Sequence, residues 1–205
     1  LAEKGVDLAA RQNSPIILAA ESGQLHVVKW LAEKGVDVTT RDNEVVIVAA
    51  ANGHLDVVKW LVENGADVTA RGNEAIIMAA RIRHLDNDRF AEVLRYLIDN
   101  GADVSARDNE AIITASRYGR LHLVKRLAES GADPTARNNQ AIVKAAQHGH
   151  LYVVLWLVDN GADVTAQDNE PLIRAAIRGD LDIVKFLVEN GADVTARNNE
   201  AIIEA

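Results

Sequence analysis

Asn43-Glu-Val-Val-Ile-Val-Ala-Ala-Ala-Asn-Gly53 and Leu55-Asp-Val-Val-Lys-Trp-Leu-Val-Glu-Asn-Gly-Ala-Asp67, separated by His54 alone, decide the fold. In the first stretch Val46, Ile47, Ala49 and Ala50 recur at i, i+3, i+4, the stripe of a short amphipathic helix. Gly53 follows that stripe, and a glycine just past a helix ends it in the left-handed region without a Cβ clash. The second stretch is again amphipathic, with Asp56 read as its N-cap and Gly65 standing just past its end. Two short antiparallel helices therefore form one unit. Outward from it, Gly5, Gly35, Gly65, Gly101, Gly131, Gly161 and Gly191 open Gly-(Ala/Val)-Asp triplets at intervals of 30, 30, 36, 30, 30 and 30 residues. A second set, Gly23, Gly53, Gly119, Gly149 and Gly179, marks the other helix ends. A period of this length means stacked supersecondary units that bury their apolar faces only against one another.

Bulk properties narrow the function. With 48% hydrophobic and 25% charged residues, and no long apolar run, the chain has no candidate for membrane insertion. A net charge of -8 argues against a nucleic-acid partner, since no basic footprint exists overall. There is no cysteine, which excludes disulfides, thiolate metal sites and cysteine nucleophiles and agrees with an intracellular, cytoplasmic setting. The chain opens at Leu1 and closes inside a repeat, so residues 1–205 read as a single repeat domain taken from a longer array.

The recurring Glu-Ala-Ile-Ile at Glu74 and Glu110, Ser-Pro-Ile-Ile from Ser14 and Glu-Pro-Leu-Ile from Glu170, each followed by Gly-His-Leu-Asp-Val-Val-Lys-Trp-Leu-like and Gly-Ala-Asp segments, resemble the ankyrin repeat along the whole chain. Pro15 and Pro171 keep the first-turn position that tolerates proline. The resemblance implies an all-α, ankyrin-like helical-repeat solenoid with six complete helix pairs and a partial repeat at each end. It departs in length, because the family's unit runs to about 33 residues and this one to 30. The deficit falls between the Asp of Gly-Ala-Asp and the first helix, so shortened inter-repeat loops are expected.

Asn13, Asn43, Asn73, Asn109, Asn139, Asn169 and Asn199 occupy that shortened loop, one per unit. An Asn there can accept from helix amides, tolerate an unusual backbone conformation and bond the neighbouring loop, giving a ladder between units. The Asp series from Asp7 to Asp193 and the Arg series at Arg11, Arg41, Arg71, Arg107, Arg137 and Arg197 are expected to pair their charges across stacked loops. The glutamates Glu74, Glu110, Glu170 and Glu200 fall at helix starts, where a carboxylate suits the positive end of the dipole.

Positions free to vary between units are the residue before Ala-Ala and the two after it: Leu18, Glu21, Ser22; Val48, Ala51, Asn52; Met78, Arg81, Ile82; Thr114, Arg117, Tyr118; Lys144, Gln147, His148; Arg174, Ile177, Arg178. Each triplet shares one helix face at i, i+3, i+4. The family resemblance implies that this face lines a concave groove where a partner binds. From Leu18, Val48 and Met78 through Thr114 to Lys144 and Arg174 the series turns from apolar to cationic, which suits an acidic peptide or protein surface. The long interval places a six-residue insertion near 87–92, read either as a partner contact or as a tolerated insertion. Phe90, Val93, Leu94 and Leu97 continue the helical stripe, so the extra residues are expected to add a turn to the second helix, capped by Asp86, Asn87 or Asp88. Arg83 stands where the stop glycine belongs.

No HExxH or comparable ligand spacing occurs among His26, His54, His84, His122, His148 and His150. His54, His84 and His150 take a turn position, and His26 and His122 replace Asp at the second helix's cap. Trp30, Trp60, Tyr96, Trp156 and Phe186 share one position of the second helix, with Arg126 in the fourth unit, and read as packing between second helices. No catalytic residue, metal site or cofactor is assigned. The sequence reads as a non-enzymatic protein-protein interaction module; a structural component of a larger assembly such as a virus particle, or the targeting array of a longer multidomain protein, are the alternatives. It names no partner and no oligomeric state.

Overall fold

A computed structural model describes residues 10–81 and 87–196, with the side chains of residues 10–14, 87 and 88 left undescribed. The terminal partial units, Ile82 to Asp86, Asn199 and the side chain of Asn13 thereby lie outside the described part of the chain. Among the described residues there are twelve helices and no strand. They are α1 (Ala10–Glu21), α2 (Leu25–Glu33), α3 (Thr40–Ala51), α4 (Leu55–Glu63), α5 (Ala70–Ala79), α6 (Asn87–Asp99), α7 (Ala106–Arg117), α8 (Leu121–Glu129), α9 (Ala136–Gln147), α10 (Leu151–Asp159), α11 (Ala166–Arg178) and α12 (Leu181–Glu189). Six first-helix and second-helix pairs result, as the repeat spacing requires.

The helices fall into two compact units, Leu1–Asp103 and Val104–Ala205. In Leu1–Asp103, α1, α3 and α5 lie side by side, and α2 and α6 flank α4. Its core is fed by both layers: Ile16, Val46 and Ile76 from first helices, Val28, Val58, Leu61, Leu94 and Leu97 from second helices. In Val104–Ala205, α9 lies between α7 and α11, and α10 between α8 and α12. Ile112, Ile142, Leu172, Leu123, Leu127, Leu157 and Leu187 form that core. Alanine at the tightest first-helix positions, such as Ala50 and Ala146, is fully buried, which permits close helix approach.

The shortened loop folds in a way the sequence did not announce. Arg41, Asp42 and Asn43 are all left-handed, with φ of 51, 53 and 62°, and the same three-residue turn recurs at 71–73, 107–109, 137–139 and 167–169. Its last residue closes back onto the preceding Thr or Ser, as where Asn43 N donates to Thr39 O at 2.8 Å. A left-handed non-glycine residue costs about 1–2 kcal/mol, so these turns persist only because other bonds hold them. The ladder supplies those bonds. Asn43 Oδ1 accepts from Asp67 N, Asn73 Oδ1 from Asp103 N, Asn109 Oδ1 from Asp133 N, Asn139 Oδ1 from Asp163 N and Asn169 Oδ1 from Asp193 N, all at 2.7–2.9 Å. Asn is the residue that both tolerates this conformation and carries an acceptor.

The charged series are wired differently from the sequence expectation. Asp67 Oδ1 accepts from Thr69 N and Thr69 Oγ1 instead of pairing with an arginine of the next loop, and Asp37, Asp133, Asp163 and Asp193 do the same with Thr39, Thr135, Thr165 and Thr195. A hydroxyl and an amide two residues away are always in reach, whereas a guanidinium must cross to the next loop. The two Thr195 bonds hold the Asp193 carboxyl below its usual range. The arginines reach glutamates: Arg71 lies 3.5 Å from Glu44 and 3.7 Å from Glu74, and Arg137 lies 2.6 Å from Glu110. Arg71 also donates to Arg41 O at 2.5 Å, and Arg137 to Arg107 O.

Asp56 is not the N-cap of α4. That position is His54, whose side chain makes no cap bond, and Asp56 lies inside the first turn. His122 is likewise the second residue of α8, and His26 the second of α2, because each helix starts two residues earlier than the cap read from the sequence implied. The cap-position imidazoles serve the preceding repeat instead: His54 Nε2 donates to Glu21 O at 2.9 Å and His150 Nε2 to Arg117 O at 3.0 Å. Gly119 must therefore be glycine twice over, since its φ is +71° and an added Cβ would sit 2.5 Å from His150 Nδ1.

α6 has 13 residues where the other second helices have 9, so the long interval adds a turn as expected. Asn87 is its first residue. Phe90, Val93, Leu94 and Leu97 are buried. Arg89 Nε donates to Gly53 O at 2.8 Å, and Arg89 Nη2 meets His54 Nδ1 at 2.8 Å.

Candidate functional site

In Leu1–Asp103 the variable first-helix positions give an apolar row. Leu18 is 59% exposed, Val48 and Met78 are half-buried, and Ala51 lies beside them. Glu21, Ser22, Asn52 and Arg81 are exposed around the row, and Ile82 is outside the described residues. Asn52 is turned back on its own helix, donating to Val48 O at 2.8 Å.

In Val104–Ala205 the corresponding face is cationic. Lys144 of α9 donates to Gln147 Oε1 at 3.1 Å, which draws its ammonium toward the Arg117, Gln147, Ile177 row. Arg117 stacks its guanidinium 5.8 Å from the Tyr118 ring centroid. Arg174 Nε and Glu170 Oε1 are 2.6 Å apart, and Arg178 Nε and Asp180 Oδ2 are 2.5 Å apart. Two of the cations are thus held by carboxylates beside the face, while Arg117 and Lys144 have neutral partners. Ile177 is 47% exposed in the same face. Thr114 is not part of the accessible surface: it is buried, with Oγ1 3.4 Å from Oε1 of Glu110 one turn earlier on α7. The apolar-to-cationic series therefore has a gap at its fourth member.

His148 Nδ1 bonds Lys144 O at 3.0 Å, and its ring stacks on His150 with centroids 6.3 Å apart and planes 9° from parallel. Burial lowers the His150 pKa, and the nearby His148, Arg178 and Arg120 push it further in that direction against the bond to Arg117 O. Its imidazole is a structural donor between repeats and not a surface cation. The second helices carry the aromatic position. Trp30 remains 40% exposed, Lys34 lies 5.7 Å from its ring centroid, and Lys59 of α4 lies 5.8 Å from that of Tyr96 in α6. Burial and the Glu63 charge raise the Tyr96 pKa.

Sequence reasoning named these variable positions but not three features around them: the Glu170 and Asp180 carboxylates that hold Arg174 and Arg178, the burial of Thr114, and the turn histidines His54 and His150 that bond the preceding repeat. The i, i+4 spacing of Glu170 and Arg174 was the available signal for the first. Among the described residues no group of three or more His, Asp or Glu is placed to hold a metal ion. No described helix is long and apolar enough to cross a membrane.

The family model described as ankyrin repeats (3 copies) matches residues 16–108, 46–138 and 112–198. No curated protein sequence matches the chain significantly. Among solved structures that match, the crystal structure of the human ASB11 ankyrin repeat domain has a TM-score of 0.76 at 21% identity, covering 93% of this chain and 96% of that one. That likeness concerns the fold; the family match, which spans most of the sequence, carries more. Twelve paired helices among the described residues, a glycine-stopped 30-residue period and this match together show that the chain belongs to the ankyrin-repeat family.

Proposed function

We propose that this chain is a non-enzymatic protein-interaction module that engages another protein through the variable faces of its first helices. Ankyrin repeats generally mediate protein-protein interaction. What supports the reading here is the contrast between constant and variable positions. The residues that build each repeat recur along the chain, while those on the first-helix face change and, among the described residues, remain solvent-accessible with the exception of Thr114. The observation that carries it is the pair Arg117 and Lys144, cations presented without a carboxylate partner among the described residues, beside the exposed Ile177. Such a face suits an acidic protein surface, because burying it against carboxylates satisfies charges the fold itself leaves unneutralised. The cysteine-free composition agrees with an intracellular setting.

The test is affinity capture with quantitative mass spectrometry, comparing wild type with Arg117→Ala, Lys144→Ala, Ile177→Ser combined. Arg174 is left intact because its guanidinium pairs with the buried Glu170 carboxylate at 2.6 Å, and breaking that pair would disturb the fold as well as the face. Loss of specific partners with an unchanged helical circular-dichroism spectrum is expected. Retention of the same partners at the same yield removes the first-helix face as the binding surface.

A further inference from the structure

We propose that the first-helix face of Val104–Ala205 receives an acidic segment in the polyproline II conformation, with carboxylates at positions i and i+3 and an aliphatic side chain at i+6. The proposal rests on the reading of this face as a binding surface and specifies what fits it. Arg117, Lys144 and Ile177 stand on three successive first helices, α7, α9 and α11, of which α9 packs against both others. Packed helices lie about 8–10 Å apart. A ligand crossing them must therefore present a side chain about every 8–10 Å on one side.

Backbone geometry selects among extended ligands. A β-strand rises about 3.3 Å per residue and returns to the same face every second residue, so its same-side spacing is about 7 or 13 Å and misses the helices. A polyproline II segment returns every third residue at about 3.1 Å each, a repeat of about 9 Å. It is also ordered before binding, so less conformational entropy is lost on docking. The chemistry along the row then fixes the sequence. The Lys144 ammonium is drawn toward the row by Gln147 at 3.1 Å, Arg117 is braced against Tyr118, and neither has a carboxylate partner among the described residues. Ile177, 47% exposed, ends the row and offers an apolar seat. Arg174 and Arg178, held by Glu170 and Asp180, flank the track and keep its field positive without competing for the same carboxylates.

The experiment uses the whole 205-residue chain and a fluorescein-labelled peptide, Glu-Pro-Ala-Glu-Pro-Ala-Leu-Pro-Ala, read by fluorescence anisotropy at low salt. Its controls are a respaced peptide of equal composition, Glu-Glu-Pro-Pro-Ala-Ala-Leu-Pro-Ala, a helical peptide with the same three side chains seven residues apart, and a twelve-nucleotide oligothymidylate. The spaced peptide is expected to bind at least fivefold more tightly than any control. Arg117→Ala and Lys144→Ala should each weaken it at least fivefold. Ile177→Ser should weaken it by a similar factor, and not at all once the peptide leucine is changed to serine. Equal binding of spaced and respaced peptides, both lost in Arg117→Ala, overturns the polyproline register while leaving the face as an acid-binding surface. Tighter binding of the helical peptide or of the oligonucleotide overturns the ligand class. Binding of the spaced peptide that is unchanged in all three variants, or no binding of it at all, overturns the proposal; unchanged partner capture in the triple variant is the separate result that removes the underlying reading.

Discussion

Replacing Ser116 by alanine should stabilise this protein, although the change deletes a polar atom from a well-packed core. Ser116 is fully buried in α7, and its hydroxyl has no hydrogen-bond partner among the described residues. The equivalent position in the other five pairs is Ala20, Ala50, Ala80, Ala146 or Ala176, each buried, so the fold accepts a methyl group there without rearrangement. Burying an unsatisfied hydroxyl costs about 1–3 kcal/mol. Alanine adds several tenths of a kcal/mol in helix propensity, against which stands the lost packing of one oxygen atom. The balance is a gain of about 1–2 kcal/mol, and each kcal/mol raises Tm by about 2–4 °C in a chain of this size. Trp156 is the one tryptophan in Val104–Ala205, so a Trp30→Phe, Trp60→Phe background lets urea titration by fluorescence follow that unit. The reverse substitution, Ala146→Ser, should destabilise by a comparable amount. If Ser116→Ala lowers the urea midpoint while Ala146→Ser is neutral, the hydroxyl is satisfied in solution and the packing argument fails.

Three further outcomes test the loops and turns. Asp42→Gly and Asp108→Gly should each leave stability unchanged or raise it by up to about 1 kcal/mol, the left-handed penalty less the entropy glycine loses on folding; Gly72, at φ +59°, already occupies the equivalent place, and Gly72→Asp should do the opposite in thermal melts. Asn139→Ala removes the 2.9 Å bond to Asp163 N and puts a less tolerant residue at φ 61°, an expected loss of about 2 kcal/mol, whereas Asn139→Gly should recover only the conformational part. His150 has a lowered pKa in the folded protein, so its contribution is complete above the ordinary imidazole value of about 6.5 and is lost as pH falls below that toward the folded value. His150→Gln should therefore flatten the decline of the urea midpoint between about pH 7 and pH 5, and an equally steep decline in the variant would locate the titration elsewhere.

The helix pairing was legible because glycine, the apolar stripe and the period all report local backbone requirements, which sequence expresses directly. The Asn ladder was legible for a related reason, since seven identical residues in one loop position call for a local cause. The left-handed turns were hidden. Arg41, Asp42 and Asn43 contain no glycine, and only the recurrent Asn at the last place and Gly72 at the middle place of one turn hinted at φ > 0. Charge partners were misassigned because sequence gives the sign of a group and not its reach: Asp67 is satisfied two residues away by Thr69 before any arginine can arrive. On the binding face, side-chain identity could be read but accessibility could not, so Thr114 was placed on a surface from which its neighbours exclude it.

The six-residue insertion illustrates how a local loss can be repaired by residues that no periodic pattern marks. At two turns a cap-position imidazole covers the stop glycine of the preceding repeat, as His54 covers Gly23 and His150 covers Gly119, and bonds a carbonyl of that repeat. Gly53 is covered instead by Phe90, whose ring an added Cβ would meet at 2.7 Å, while Arg89 takes the Gly53 carbonyl. Arg89 goes one step further by meeting His54 Nδ1. With Nε2 committed as donor to Glu21 O, Nδ1 is the acceptor, so the guanidinium and the carbonyl together select one tautomer of that ring. The start of α6 is thus tied to the preceding repeat at Gly53 and His54, and through His54 to Glu21 of the repeat before it. This favours a structural origin for Arg89 and Phe90, and it directs the search for partner contacts to the first-helix faces.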